Sequence, residues 1–254
     1  MPPALSVTVV TKNEEANLAR TLASVRWADE IVIVDSGSTD ATGEIARGFG
    51  AKLVVEEWKG FAAQKNSAIA QSTGEWVLSL DADEEASPEL AEEIGSLLAG
   101  SPECDGYFIP RRNFFLGRWI RHGGFYPDPK LRLFRRGSAE FEARAVHETM
   151  RCAGPTGHLR GNLLHHAYPA LENYIEHMNR YSSLGAQEAA ARGKSSPNPA
   201  AFLCNVCLNP AATFLWNYVF RLGFLDGREG LLLHLYHSAY VSWKYAKAWE
   251  RSRR

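Results

Sequence analysis

Three short apolar runs, Val7–Val10, Ile31–Val34 and Trp76–Leu80, each pass directly into polar residues that carry acids: Thr11–Glu15, Asp35–Asp40 and Asp81–Glu85. Runs of this length, rich in β-branched and apolar residues, read as buried strands. Helical patterns separate them: Ala16, Leu18 and Leu22 on one inward face, Ala41, Ile45 and Ala46 on the next, then Phe61–Ala70 and Glu89–Leu98. Lys52–Val55 supplies a further strand, Pro88 opens the last of these helices, and Asn13 is a candidate cap for the first. Strand–helix alternation with uninterrupted strands predicts an α/β domain, a mostly parallel sheet with helices on both faces. Ligands of such sheets bind at the carboxyl ends of the strands, so the three acidic loops are expected to converge on one crevice.

Packing alone does not explain the acids after Trp76–Leu80. On an extended backbone Asp81 and Asp83 project to the same side. Two carboxylates aimed at one point call for a cation, and a hard divalent metal that itself holds phosphates is the natural occupant. Neither a Gly-x-Gly-x-x-Gly after the first strand nor a Gly-x4-Gly-Lys-Ser/Thr is present, which removes the main support for a dinucleotide or P-loop site.

Net charge is −1, which argues against bulk electrostatic binding. The charge is uneven: 16 basic against 23 acidic residues in 1–150, and 12 against 6 in 151–254. Between Gly106 and Gly137, Arg111, Arg112, Arg118, Arg121, Lys130, Arg132, Arg135 and Arg136 alternate with aromatic residues. The segment reads as an Arg/aromatic loop facing the acidic site, suited to an anionic, sugar-bearing ligand. It has no recognised nucleic-acid-binding motif beside it.

From Leu171 the pattern is helical. Phe202–Trp249 is strongly aromatic and reads as two or three amphipathic helices rather than a spanning segment, with Asn205, Asn209, Asn217 and Arg221 as interruptions. With Lys244, Lys247, Arg251, Arg253 and Arg254 these helices suit the face of an anionic membrane. Cys204-x-x-Cys207 lacks a second pair at zinc spacing and reads as two buried small residues. No secretory leader precedes the first strand, which points to the cytosol and reduced thiols.

Taken together, the loops Thr11–Glu15 and Asp35–Asp40 with Asp81-Ala82-Asp83 resemble the inverting family 2 glycosyltransferases of GT-A fold. Gln64-Lys65-Asn66, Leu131–Arg136, Val146-His147-Glu148 and Leu164–Tyr168 resemble the bacterial lipopolysaccharide core subgroup, whose members add glucose or a similar hexose to an inner-core heptose. The resemblance covers nearly the whole chain. It implies a GT-A catalytic domain over 1–168 and a helical region over 169–254. It implies that Thr11, Asn13 and Glu14 line the nucleotide pocket, that Asp35 contacts the base, and that Lys65 and Asn66 lie near ribose or diphosphate. Asp81 is implied near ribose and metal, Asp83 as the principal ligand of Mg²⁺ or Mn²⁺, and His165 as completing the metal site. The family's general base is usually the carboxylate of a Glu-Asp pair. This chain has His147-Glu148, so Glu148 is the expected base and His147 the alternative.

An inverting transfer is a single displacement at the anomeric carbon. A base takes the acceptor proton, and positive charge meets the leaving diphosphate. Arg132 and Lys65 are the expected cations. The expected donor is UDP-glucose and the expected acceptor a lipid-linked oligosaccharide at the inner face of the inner membrane. A polyprenyl-phosphate hexosyltransferase is the alternative enzyme, and a non-catalytic sugar-nucleotide-binding scaffold the alternative of another class.

Overall fold

The computed structural model describes residues 4–142, 149–193 and 195–253. Its strands are β1 (Leu5–Thr11), β2 (Glu30–Asp35), β3 (Lys52–Val55), β4 (Trp76–Asp81), β5 (Glu84–Ala86), β6 (Gly106–Ile109), β7 (Arg111–Phe115), β8 (Arg118–Trp119), β9 (Lys130–Arg135), β10 (Ala139–Glu142), β11 (Thr149–Cys152), β12 (Thr156–His158) and β13 (Leu163–Tyr168). The chain forms two compact units. One comprises Met1–Arg111 and Asp128–His165, the other Arg112–Pro127 and His166–Arg254. The excursion at 112–127, expected within the first domain, thus groups with the C-terminal helices.

The first unit is built on a seven-stranded sheet in the order β12-β6-β9-β4-β1-β2-β3. β1 runs parallel to β2 and to β4, and β2 parallel to β3, as strand–helix alternation requires. β9 runs antiparallel between β4 and β6. Successive residues of a strand point to opposite faces, and the sequence serves both. Leu78 and Leu133 join α1 (Leu18–Ser24) and α4 (Pro88–Ala99) in one cluster, while their neighbours Val77 and Phe134 join Ala62 and Ile69 of α3 (Phe61–Ala70) in another. Covering on both faces is why these strands are apolar at consecutive positions. Pro88 stands at the first helical position of α4, and the Ser87 hydroxyl accepts the Leu90 N–H at 3.2 Å. Asn13 is not the cap of α1. That place falls to Asn17, without a side-chain bond, and Asn13 instead adopts a left-handed backbone with φ 56°.

In the second unit, β7 and β8 form a hairpin whose two turn residues, Leu116 and Gly117, both have positive φ, the backbone a two-residue turn needs. Phe115 and Ile120 pack with Tyr174 of α5 (Leu171–Ala191) and Leu233 of the Gly227–Arg251 helix. His234 is fully buried, its ring set where a Cβ on Gly123 would stand, 2.0 Å from its Cε1. Burial, and then the nearby His237, push the His234 imidazole down to about 4. The Arg/aromatic segment is therefore not one loop. Arg112 and Arg121 stack on Trp119 at 4.5 and 4.7 Å. Arg135 pairs with Glu75 and Asp105, and Arg136 donates to the Gly74 carbonyl at 2.8 Å.

Pro199–Phe220 is one continuous helical stretch of 22 residues; an 18-residue window of it has a mean hydropathy of 1.2, and 6% of that window is buried. It contains no charged residue. Its asparagines are polar but uncharged, so by length and composition it is long and apolar enough to cross a membrane, contrary to the expectation of interrupted helices. Two turns widen to π-helix, at Cys204–Leu208 and Leu215–Phe220. Pro210 has no N–H to give the Val206 carbonyl. The Ser242 hydroxyl donates to that carbonyl at 2.8 Å instead. Cys204 and Cys207 are exposed here rather than buried as expected.

Candidate active site

The first two acidic loops are laced to each other. The Thr11 hydroxyl and the Ser38 hydroxyl donate to Asp35 Oδ1, at 2.9 and 2.5 Å. The Gly37 and Ser38 N–H groups donate to Asp35 Oδ2 at 3.0 and 2.8 Å. Asn13 donates its N–H to the Ser38 hydroxyl at 2.8 Å and accepts the Thr39 N–H on its side-chain oxygen at 2.9 Å. The Glu14 N–H donates to the Thr42 hydroxyl at 2.8 Å. With four bonds on a carboxylate that offers about four lone-pair sites, buried Asp35 ties the Thr11 end of β1 to its own loop.

The third loop meets the first. Burial raises the Glu14 carboxyl above its usual range, the Asn17 amide opposes this, and the charges of Asp83, Asp40 and Asp81 raise it further. Carboxylates from all three strand ends are thus close enough to feel one another, the convergence that the topology predicts.

Asp81 and Asp83 have different partners. Residues 82 and 83 form a tight turn between β4 and β5, so the alternation of an extended chain does not apply. Asp81 lies between two cations, Lys65 Nζ at 2.6 Å on Oδ1 and Arg132 Nη2 at 2.5 Å on Oδ2. Burial disfavours its charge, but Arg132 and Lys65 prevail and hold it well below the usual carboxylate range. Asp83 faces His165, whose Nε2 is 3.4 Å from Oδ2. Against the effect of burial, the His165 hydrogen bond and charge lower the Asp83 carboxyl. The antiparallel pairing of β5 with β13 sets His165 opposite Glu84 and so beside Asp83.

Glu84 is the site residue that motif reading passed over. It is 0% exposed. Its Oε1 accepts Arg132 Nη2 at 2.9 Å and Arg111 Nη1 at 3.0 Å, while Oε2 accepts the Asp81 N–H at 3.0 Å. Arg111 also reaches Asp128 at 2.8 Å. The signal in the sequence was the run of four acids, where two suffice for a motif. Asn66 clasps the chain at Phe141. Its amide donates to the Phe141 carbonyl and accepts the Phe141 N–H, each at 2.9 Å. His147 and Glu148, the expected base residues, lie outside the described residues.

Among the described residues no three of His, Cys, Asp and Glu are grouped as a ready-made metal site. Asp83 and His165 come together, and Asp81 is turned to its cations. One open carboxylate still fits a hard divalent ion, which takes one or two protein carboxylates and completes its shell with substrate phosphates and water. A metal there would sit on Asp83, with His165 adjacent.

These features have counterparts in known proteins. The model of the glycosyl transferase family 2 matches residues 6–157. The lipopolysaccharide core biosynthesis glycosyltransferase LpsC of Rhizobium meliloti is 32% identical over 255 residues, covering 97% of this chain and 92% of the relative. An uncharacterized glycosyltransferase of Rickettsia typhi is 34% identical over 212 residues, 76% of this chain and 70% of the relative. Among solved structures, the mannosyltransferase PcManGT from Pyrobaculum calidifontis, in complex with GDP-Man and Mn²⁺, superposes with a TM-score of 0.55 at 19% identity, covering 98% of this chain and 87% of that one. S. aureus TarS 1-349 in complex with UDP superposes with a TM-score of 0.50 at 17% identity, covering 99% and 92%. At those identities the structural likeness is one of fold, and the fold is GT-A. The chain belongs to glycosyl transferase family 2, and it is a glycosyltransferase.

Proposed function

We propose that this enzyme moves a hexose, with inversion, from a nucleotide sugar (UDP-glucose in the first instance) to a heptose hydroxyl of the lipopolysaccharide inner core. The observation that carries the acceptor class is the near full-length likeness to LpsC, a lipopolysaccharide core biosynthesis glycosyltransferase. In this reading Thr11, Asn13, Glu14 and Asp35 shape the nucleotide pocket, and Lys65 and Arg132, both held on Asp81, lend positive charge to the diphosphate end. The acceptor oxygen bonds to the anomeric carbon as the bond from that carbon to the diphosphate oxygen breaks. The hydroxyl proton passes to Glu148, or to His147 beside it, and the diphosphate leaves with the electron pair. A divalent ion bound at Asp83 would supply further positive charge to the leaving group.

The test is transfer from UDP-glucose, UDP-galactose or GDP-mannose, with Mg²⁺ or Mn²⁺, to lipid A–core truncated at the inner-core heptose, read by mass spectrometry. One added hexose from UDP-glucose is the expected product. Addition to a polyprenyl phosphate and not to the core acceptor would favour the alternative enzyme, and no turnover of any donor would sink both.

The same proposal places the enzyme on the cytoplasmic face of an anionic membrane. What supports this is the exposure of Leu208, Leu215, Trp216, Val219 and Phe220 on a charge-free helix, with Leu222, Phe224 and Leu225 just beyond it. Burying each such side chain contributes about 1.5–3 kcal/mol. Leu215→Asp with Phe220→Asp is therefore expected to reduce co-sedimentation with phosphatidylglycerol vesicles at least tenfold. Equal binding by the variant, or none by the wild type, rules the surface out.

A further inference from the structure

The segment between β3 and α3 joins two residues of the site. In the β2–β3 register Asp35 stands opposite Val55, and the Glu56 N–H donates to the Asp35 carbonyl at 2.9 Å. The chain therefore leaves the sheet directly beside Asp35. Nine residues on, Lys65 reaches Asp81 at 2.6 Å. Phe61, the first residue of α3, lies four residues before Lys65 and so shares its helix face, one turn away. Residues 57–61 are thus the stretch of chain that links the strand end beside Asp35 to the helix that carries Lys65.

What protrudes is a pair of aromatic rings. Trp58 is 46% exposed and Phe61 48%, and their rings meet edge to face with centroids 4.7 Å apart. Neither belongs to the hydrophobic clusters of the described residues. The loop that presents them is braced. The Glu56 carboxylate accepts the Ser67 hydroxyl at 2.8 and 2.7 Å and Lys59 Nζ at 2.9 Å. Gln64 Oε1 accepts the Lys59 N–H at 3.3 Å, and Gly60, at φ 95°, lets the chain turn straight into the helix. Two large apolar rings fixed in this way and left in solvent suit a flat ligand.

A nucleotide sugar offers one flat group, its base. Asp35 has its lone pairs engaged by Thr11 and by its own loop, so reading the edge of the base with that carboxylate would cost one of those bonds. Recognition through the base's face needs no such exchange, and aromatic side chains stack on any base. We infer that Trp58 and Phe61 form the stacking platform for the nucleobase of the donor, which rests on the nucleotide-sugar reading above. One ring offers its face and the other supports it edge-on.

The test is calorimetric titration of UDP, GDP and inorganic pyrophosphate, with Mn²⁺, into the full chain and into Trp58→Ala, Phe61→Ala and Trp58→Phe. Trp58→Ala is expected to weaken both nucleotides by about 5- to 150-fold and to leave pyrophosphate within about twofold, since the cations on Asp81 are untouched. Trp58→Phe is expected to retain most of the affinity. Unchanged nucleotide binding in Trp58→Ala, or an equal loss of pyrophosphate, overturns the platform. A wild type that binds pyrophosphate but neither nucleotide overturns the donor reading instead.

Discussion

In urea titrations followed by tryptophan fluorescence, Glu84→Ala is expected to lose about 3–5 kcal/mol of stability. The carboxylate is wholly buried and takes bonds from Arg132, from Arg111 and from the Asp81 N–H. Removing it leaves a 5%-exposed guanidinium, Arg132, with Asp81 as its remaining anionic partner. A buried cation stripped of a partner costs far more than the pair contributes net, because the desolvation penalty stays when the attraction goes. Glu57→Ala, an exposed acid in the same unit, serves as the comparison and should stay within about 0.5 kcal/mol. An unchanged midpoint for Glu84→Ala would show that the cluster relaxes freely.

Asp83→Asn should separate from it cleanly. Transfer is expected to fall by about 10²–10³-fold, the scale for losing one group that meets developing charge, while the urea midpoint barely moves. The amide keeps the shape of the carboxylate beside His165 but removes the charge that a divalent ion requires. Asp81→Asn is the informative partner. Asp81 is the shared anion of two buried cations, so its loss should lower stability as well as transfer. Near-normal transfer by Asp83→Asn at saturating Mn²⁺ would show that Asp83 is not the metal's ligand.

These two acids also mark how far the chain could be read from its residues. The strands and helices of the first unit follow from apolar runs whose alternate residues enter two different clusters, as Val77 and Leu78 do. That pattern survives any loop geometry, so Lys52–Val55 and Phe61–Ala70 fall where it puts them. Placing Asp81 and Asp83 on one side assumed an extended backbone, and the turn at residues 82 and 83 undoes it. The burial of Glu84 is not legible in the sequence, because acids are rarely buried without partners and its partners Arg111 and Arg132 lie 27 and 48 residues away. The Pro199–Phe220 helix is not legible from its asparagines, which are polar but leave the stretch free of charge.

Asn66 holds Phe141 at both backbone atoms, and Phe141 is the next-to-last described residue before the segment that carries His147 and Glu148. Its helical neighbour Lys65 holds Asp81. One helix therefore acts as a gauge block. It sets Lys65, one of the two cations on Asp81, and the departure point of the segment that carries His147 and Glu148 from adjacent positions of a single rod. A substitution that slides α3 along the sheet would move both by the same amount and spare their spacing. One that loosens the Asn66 clasp would change the spacing alone.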